Sequence, residues 1–218
     1  MTDVLRSLQN QLEAIYALDA GPDVRDFLID AAERQQHLAA DDRRPDESVL
    51  LRESADGVDL AVYLAGDVLT RLTDDDPLQA LTDDVLADLW LAIEGVSHFS
   101  YLVHRLHRDS AVSLLELELQ AEIDKFVATW WLARAQGHRD VREGLWRRLF
   151  VDTALATNLS AEEAERYSTA SRYASYFCAE LGLFGADSHD QAVRELRHFY
   201  RLDQPAKFSE IHSQRLTS

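Results

Sequence analysis

Two stretches of this chain place acids, a histidine, a tyrosine and a lysine at helical intervals inside apolar sequence. Glu94, His98, Tyr101 and Arg105 stand at i, i+4, i+7 and i+11, so on a helix they share one face. Glu118, Glu122 and Lys125 stand at i, i+4 and i+7 and share another. Carboxylates beside an imidazole supply metal ligands, or a general base with the acid that orients it. A lysine among them supplies a counter-charge or, once desolvated, an amine of lowered pKa.

The surroundings sharpen the question. Residues 83–107 are apolar nearly all round (Leu86, Leu89, Ile93, Val96, Phe99, Leu102), and so are residues 114–136 (Leu115, Leu119, Ile123, Phe126, Trp130, Trp131). Helices of that kind are buried, and charges on them must be paired, because a lone buried charge costs several kcal/mol. The connection between them is short, which predicts an antiparallel helix hairpin. If its turn is centred near residue 110, facing residues have numbers summing to about 220. Glu94 then meets Lys125, His98 meets Glu122, and Tyr101 meets Glu118, each pair matching a donor with an acceptor.

Three readings fit this seam. In the first it is a satisfied polar ladder that fixes helix register. This takes precedence, because paired His and Glu are commoner in cores than in clefts. In the second the register slides by one turn. Glu94, His98, Glu118 and Glu122 then converge as in carboxylate-bridged metal bundles. Those bundles carry Glu-x-x-His on two helices. Here Glu-x-x-x-His occurs once, and Lys125 repels a cation. In the third the seam lines a pocket in which Glu122 makes His98 a general base and Lys125 has a lowered pKa. The candidate catalytic residues are therefore His98, Glu122, Lys125, Glu94, Glu118 and Tyr101. No cofactor is favoured, with a metal ion as the alternative.

Elsewhere, Arg194, Arg197 and Arg201 lie close together beside His198 and form a candidate anion site, or a solvated face. The Arg147-Arg148 pair is read the same way. Tyr167, Tyr173 and Tyr176, with Arg166 and Arg172, decorate a helix rich in Ser and Ala, as core tyrosines or as the wall of a ligand pocket. Cys178 follows Phe177 on an apolar surface, so burial outweighs a nucleophilic role. As the only cysteine, it also excludes an intrachain disulfide and a cysteine-rich zinc site. Glycine-rich phosphate loops, HExxH and Gly-x-Ser-x-Gly are all missing from the sequence.

The elements that must position these residues are mostly helical. Val4, Leu8, Leu12 and Ile15 stripe a first helix over 3–18. Pro22 stands where a second would begin, with Val24, Phe27, Leu28 and Ala31 as its stripe. Residues 39–47, AADDRRPDE, read as an exposed linker. Residues 48–64 alternate around Asp56-Gly57 and predict a β-hairpin, which must lie on the helices or pair with another chain. Short helices are expected at 66–72 and 77–81. Ser113 with Glu116 and Ser160 with Glu163 form capping-box patterns that open helices 114–136 and 160–181. Further helices are expected at 139–157 and 188–202, the latter being the last.

The fold class expected is thus mainly α, a single domain of 218 residues built around the helix hairpin of 83–107 and 114–136, with one small β-hairpin. The net charge is −17, and residues 1–100 hold 22 acids against 7 basic residues, a surface that repels nucleic acid and anionic lipid. Only Lys125 and Lys207 are lysines, so a lysine inside an apolar helix stands out. No run approaches a membrane span and the first residues do not form a secretion signal, so a cytoplasmic location is expected. Trp130 and Trp131 on an over-apolar helix, and an unsupported hairpin, suggest a homodimer. The function expected is that of a non-enzymatic interaction or regulatory protein, possible protein partners included. The alternative is an enzyme or metalloprotein using the seam.

Overall fold

The computed structural model describes residues 3–37, 46–54, 57–138, 140–152, 159–181 and 186–217. The first helix, α1 (Asp3–Tyr16), buries Val4, Leu5, Leu8, Leu12 and Ile15 along one stripe. It ends where Ala17 turns to a positive φ of 49°. The second helix expected from Pro22 does not form as one piece. Asp23 caps a 3-10 turn, Val24–Phe27, and strand β1 (Leu28–Ile29) follows. The carboxylate of Asp30 then accepts the amides of Ala32 and Glu33 at 2.8 Å, and α2 (Ala31–His37) starts afresh. Asp30 satisfies the orphan donors of a helix N-terminus, so the chain can break there at little cost.

Strands β2 (Glu47–Ser54) and β3 (Gly57–Leu64) pair antiparallel with Leu51 opposite Leu60, as the alternation predicted. Two corrections accompany them. β1 adds to β3 in parallel, with Leu28 opposite Val62, so the sheet has three strands in the order β1-β3-β2. The linker expected over 39–47 stops short of Glu47, which opens β2 and is 8% exposed. Residues 39–45 lie outside the described residues.

Helix α3 (Gly66–Asp74) follows. The helix expected at 77–81 is only a turn, made around Pro77. The long pair α4 (Leu86–Leu106) and α5 (Leu114–Ala135) forms the antiparallel hairpin at the centre of the molecule. Helix α6 (Arg142–Phe150) is shorter than the 139–157 expected, and residues 153–158 of that span lie outside the described residues. Helix α7 (Ala161–Glu180) opens with the full Ser160/Glu163 capping box and buries Ala170 and Ala174, small residues that let it lie close on α5. Helix α8 (Ala186–Arg201) is not the last. Asp203 accepts the amide of Ala206 at 3.0 Å and opens α9 (Gln204–Thr217), which the sequence reading missed.

The molecule is mainly α with a small sheet, and the sheet rests on α4. Trp130 is 3% exposed, and Trp131 packs edge-on against Trp130 and His189. Trp130 and the base of the hairpin are thus packed within this chain, whereas Leu51 and Val58 towards the hairpin's tip are exposed. Among the described residues no helix is long and apolar enough to cross a membrane.

Candidate functional site

Helix α5 is polar on two opposite sides. Glu118, Glu122 and Lys125 face β2 and α7, whereas Glu116, Gln120 and Asp124 (i, i+4, i+8) face inward. Residues 118 and 120 differ by about 200° of rotation, which separates the two rows. The register across the hairpin lies near the predicted sum. Lys125 Nζ is 2.6 Å from Glu94, Ser97 donates to Asp124 at 2.6 Å, and Trp90 donates to Thr129 at 3.2 Å.

Of the three predicted pairs only Glu94–Lys125 forms. His98 does not meet Glu122 but stands between Glu118 (Nε2, 3.7 Å) and Glu47 of β2 (Nδ1, 3.5 Å). Tyr101 does not meet Glu118. Three residues beyond His98 it has turned about 300° round the helix, and its hydroxyl donates to Glu116 at 2.5 Å on the inner side. That contact also alters the expected capping box. Ser113 accepts the amide of Glu116 at 3.1 Å, but the Glu116 carboxylate serves Tyr101.

The inner row is a closed network. Asp124 accepts hydrogen bonds from Tyr16, from Ser97 and, at 3.0 Å, from Gln120. Gln120 in turn accepts one from Lys207 of α9 at 2.8 Å. Lys207 is fully buried, with its ammonium 4.4 Å from the Tyr101 ring centre and 5.1 Å from that of Phe199. Burial pushes Asp124 up to about 6 and Lys207 down to about 7, although the hydrogen bonds to Asp124 and the acids near Lys207 work the other way. Arg105 borders this network, 3.8 Å from Glu116 and donating to the carbonyl of Ala111, with its Nε buried and without a hydrogen-bond partner among the described residues.

The outer row divides in two. Lys125 lies between Glu94 and Glu122 at 2.6 and 2.8 Å. Burial opposes its charge, but the two carboxylates more than offset that and hold it above its ordinary value. This half is a paired ladder. The other half is not closed. Contacts of 3.5 and 3.7 Å around His98 exceed a hydrogen bond, and Arg166 of α7 stands 3.6 Å from Glu118. Among the described residues, Glu47 Oε1, His98 Nε2 and Arg166 Nε are buried without a hydrogen-bond partner. Burial raises the Glu47 carboxyl against the pull of His98. His98 is raised as well, because Glu118 and Glu47 outweigh its desolvation. The sheet lies close on α4 here, since a Cβ on Gly95 would already be in van der Waals contact, 3.4 Å from Glu47 Oε1 and 3.5 Å from Val62.

Donor atoms of Glu47, Glu94 and His98 all lie within 4.8 Å of one another. Two ligands about 2.1 Å from one tetrahedral ion stand roughly 3.4 Å apart. The 3.5 Å between Glu47 and His98 fits that spacing. Glu118 and Glu122 flank the cluster rather than complete it.

The remaining candidates fall elsewhere. Arg197 donates to the carbonyls of Ala14 and Ile15, and Arg201 to those of Tyr16 and Ala17, so both cap the C-terminal end of α1. Arg194 is exposed. Cys178 is buried, and desolvation raises its thiol well above the ordinary value, which leaves it inert. Glu47, Asp124 and Lys207 are the residues that sequence reasoning passed over. Comparison of the chain with models of known families, with curated proteins and with solved structures gave no match.

Proposed function

We propose that this protein binds a divalent transition-metal ion through Glu47, Glu94 and His98, and that the ion is the centre of its activity. The observation carrying this reading is the buried Glu47 Oε1, without a hydrogen-bond partner among the described residues, 3.5 Å from His98 Nδ1 in a cluster with Glu94. Buried polar groups are nearly always satisfied, and an ion held by Glu47 Oε1 and His98 Nδ1 would satisfy that oxygen and leave the ring's Nε2 proton for Glu118. Charge agrees. Four carboxylates, Glu47, Glu94, Glu118 and Glu122, stand against Lys125, Arg166 and the proton His98 holds, and a dication that takes the place of that proton brings the balance to zero. Imidazole with carboxylates suits manganese, iron(II) or zinc over calcium. Lys125 holds Glu122 and the Oε2 atom of Glu94, so the ladder and the metal site share Glu94, and Glu122 stays with the ladder.

The test is titration of metal-depleted protein with Mn2+, Fe2+ and Zn2+ by calorimetry, beside its native mass. One ion per chain is expected, with binding lost in His98→Ala and weakened by about tenfold or more in Glu47→Gln. Absence of binding, or binding that both variants leave unchanged, overturns the reading.

A second reading, interaction with a further copy of the chain, rests on the hairpin. Its inward face runs from Val49 and Val62 to Leu51 and Val58, which are 43% and 41% exposed, and β2 is the sheet's open edge among the described residues. Light scattering tests it. A dimer dissociated by Leu51→Asp supports it, and a monomeric wild-type chain removes it.

A further inference from the structure

A cavity of about 220 Å³ lies on the far side of α4, between the end of α1 and the last turn of α4, with Arg201 of α8 at its rim. It is smaller than the roughly 300–1,000 Å³ of pockets for drug-sized ligands, so its occupant is a small molecule. Ser100 forms part of its lining and is 6% exposed, and its hydroxyl has no hydrogen-bond partner among the described residues. His104, His107 and Arg108 of the α4 end line it on the same side.

The cavity lining balances two arginines against Glu13 and Asp19, but its His104 side is positive, opposite to the whole chain. Arg108 and Arg201 reach its wall, and Arg105 and Lys207 add positive charge behind His104. Glu13 also lines the cavity, but its carboxylate accepts the Gln9 amide at 2.9 Å and stands 3.9 Å from Arg6. Asp19 sits at the exposed rim. Arg108 Nη1 lies closest to His104 Nε2, with Nδ1 at 3.1 Å, and a guanidinium has no acceptor, so Nε2 carries no proton. Burial and then Arg108 and Arg201 push His104 down to about 4, so at neutral pH the imidazole is uncharged.

We infer that this cavity is a binding site for a small anion, a carboxylate or a phosphate, held by the guanidinium of Arg108 and the hydroxyl of Ser100, with Arg201, whose Nη atoms cap backbone carbonyls, adding positive charge at the rim. The anion brings the negative charge that this wall lacks. Its arrival offsets the two guanidiniums facing His104, and the imidazole then takes up a proton and becomes a further donor to the ligand. Tyr200, packed edge-on against His104 at 5.1 Å, closes the ring's other side with a group whose own proton burial retains. The site is separate from the metal cluster and does not depend on it.

Histidine NMR of the full chain tests this, with inorganic phosphate and succinate as separate probes. A saturable shift of His104, with its pKa raised in the presence of probe, is the expected result. Saturation by one probe but not the other identifies phosphate or carboxylate as the ligand chemistry. Arg108→Gln is expected to weaken binding by about tenfold or more, and Ser100→Ala by a few-fold. Arg108 is exposed, so the melting temperature of Arg108→Gln should match the wild type and separate a lost ligand contact from a lost fold. A His104 titration curve that neither probe moves, or a probe response that Arg108→Gln leaves intact, overturns the inference.

Discussion

The two polar rows of α5 use the same kinds of residue at the same helical spacing, and they differ in how far their hydrogen bonds close. On the inner side Asp124, Gln120, Tyr16, Ser97 and Lys207 meet one another at hydrogen-bond distance. On the outer side Lys125 is closed by two glutamates, whereas Glu47, His98, Glu118 and Arg166 stand 3.5–3.7 Å apart with orphaned atoms between them. A closed network spends its polar groups on the fold, because every donor is used where it lies. A buried cluster left open has donors to give to something else. Polarity inside a helical core therefore says little about function until its hydrogen bonds are counted.

The largest effect expected from breaking this contrast is at Asp124. Asp124→Ala leaves the hydroxyls of Tyr16 and Ser97 and the amide of Gln120 without their acceptor, and should cost about 3–5 kcal/mol in chemical denaturation. A loss below about 1 kcal/mol would mean that the inner network is no more structural than the outer one. Lys125→Ala comes next, at about 2–4 kcal/mol, because Glu94 and Glu122 are then left facing each other without the cation between them. Both glutamates keep some access to water, which sets this loss below that at Asp124.

How much of this was legible in the sequence follows from where each partner lies. The helix hairpin and its register could be read because both helices carry their own periodicity and a short connection joins them. The Glu94–Lys125 pair followed directly. His98 was assigned to Glu122 because its actual partner, Glu47, is 51 residues away on a strand. A signal for Glu47 did exist. Glu47 shares parity with Val49 and Leu51 and stands opposite Leu64, so a strand begun one residue earlier would have turned it inward. Asp124 and Lys207 were passed over for different reasons. Glu116, Gln120 and Asp124 stand at i, i+4 and i+8 on the side of the helix opposite the outer row, where no second polar row was expected. Lys207 sits on α9, whose start is written in Asp203 and Pro205 but whose apolar stripe is short.

Lys207 gives the inner row a pH signature opposite in sign to that of His98 in the outer row. In the folded chain it loses its proton near pH 7, whereas unfolded it keeps it to about 10.5. Between those values the unfolded state binds more protons, so stability rises with pH, by up to about 1.4 kcal/mol per pH unit. Asp124 acts in the opposite sense at lower pH. Its folded value near 6 exceeds the ordinary 3.8, so its contribution falls as pH rises between them. His98 and Cys178 act the other way over parts of this range, because each holds a proton in the fold that the unfolded chain releases. The Lys207 contribution is therefore read as a difference, and from pH 7 to about 9.5 the melting temperature of the wild type should gain on that of Lys207→Met. A difference that stays level over this range would show that Lys207 keeps its charge inside the fold.

The smallest effect is the most discriminating. In metal-free protein, Glu47→Gln removes a buried carboxylate whose Oε1 makes no hydrogen bond among the described residues, and puts a neutral group of the same shape in its place. A carboxylate used by the fold would cost several kcal/mol to neutralise, as at a buried ion pair. Here the change should stay within about 1 kcal/mol, because desolvation already raises the Glu47 carboxyl and only His98, at 3.5 Å, favours its charge. The same substitution should remove most of the stabilisation that added Mn2+ or Zn2+ gives the wild type, since an ion stabilises a fold only through the affinity it has for it. A large loss of stability in the metal-free variant would place Glu47 with Asp124, as one more member of a closed structural network. A silent substitution that abolishes the metal-induced rise would instead show that the outer row is kept open for its ion.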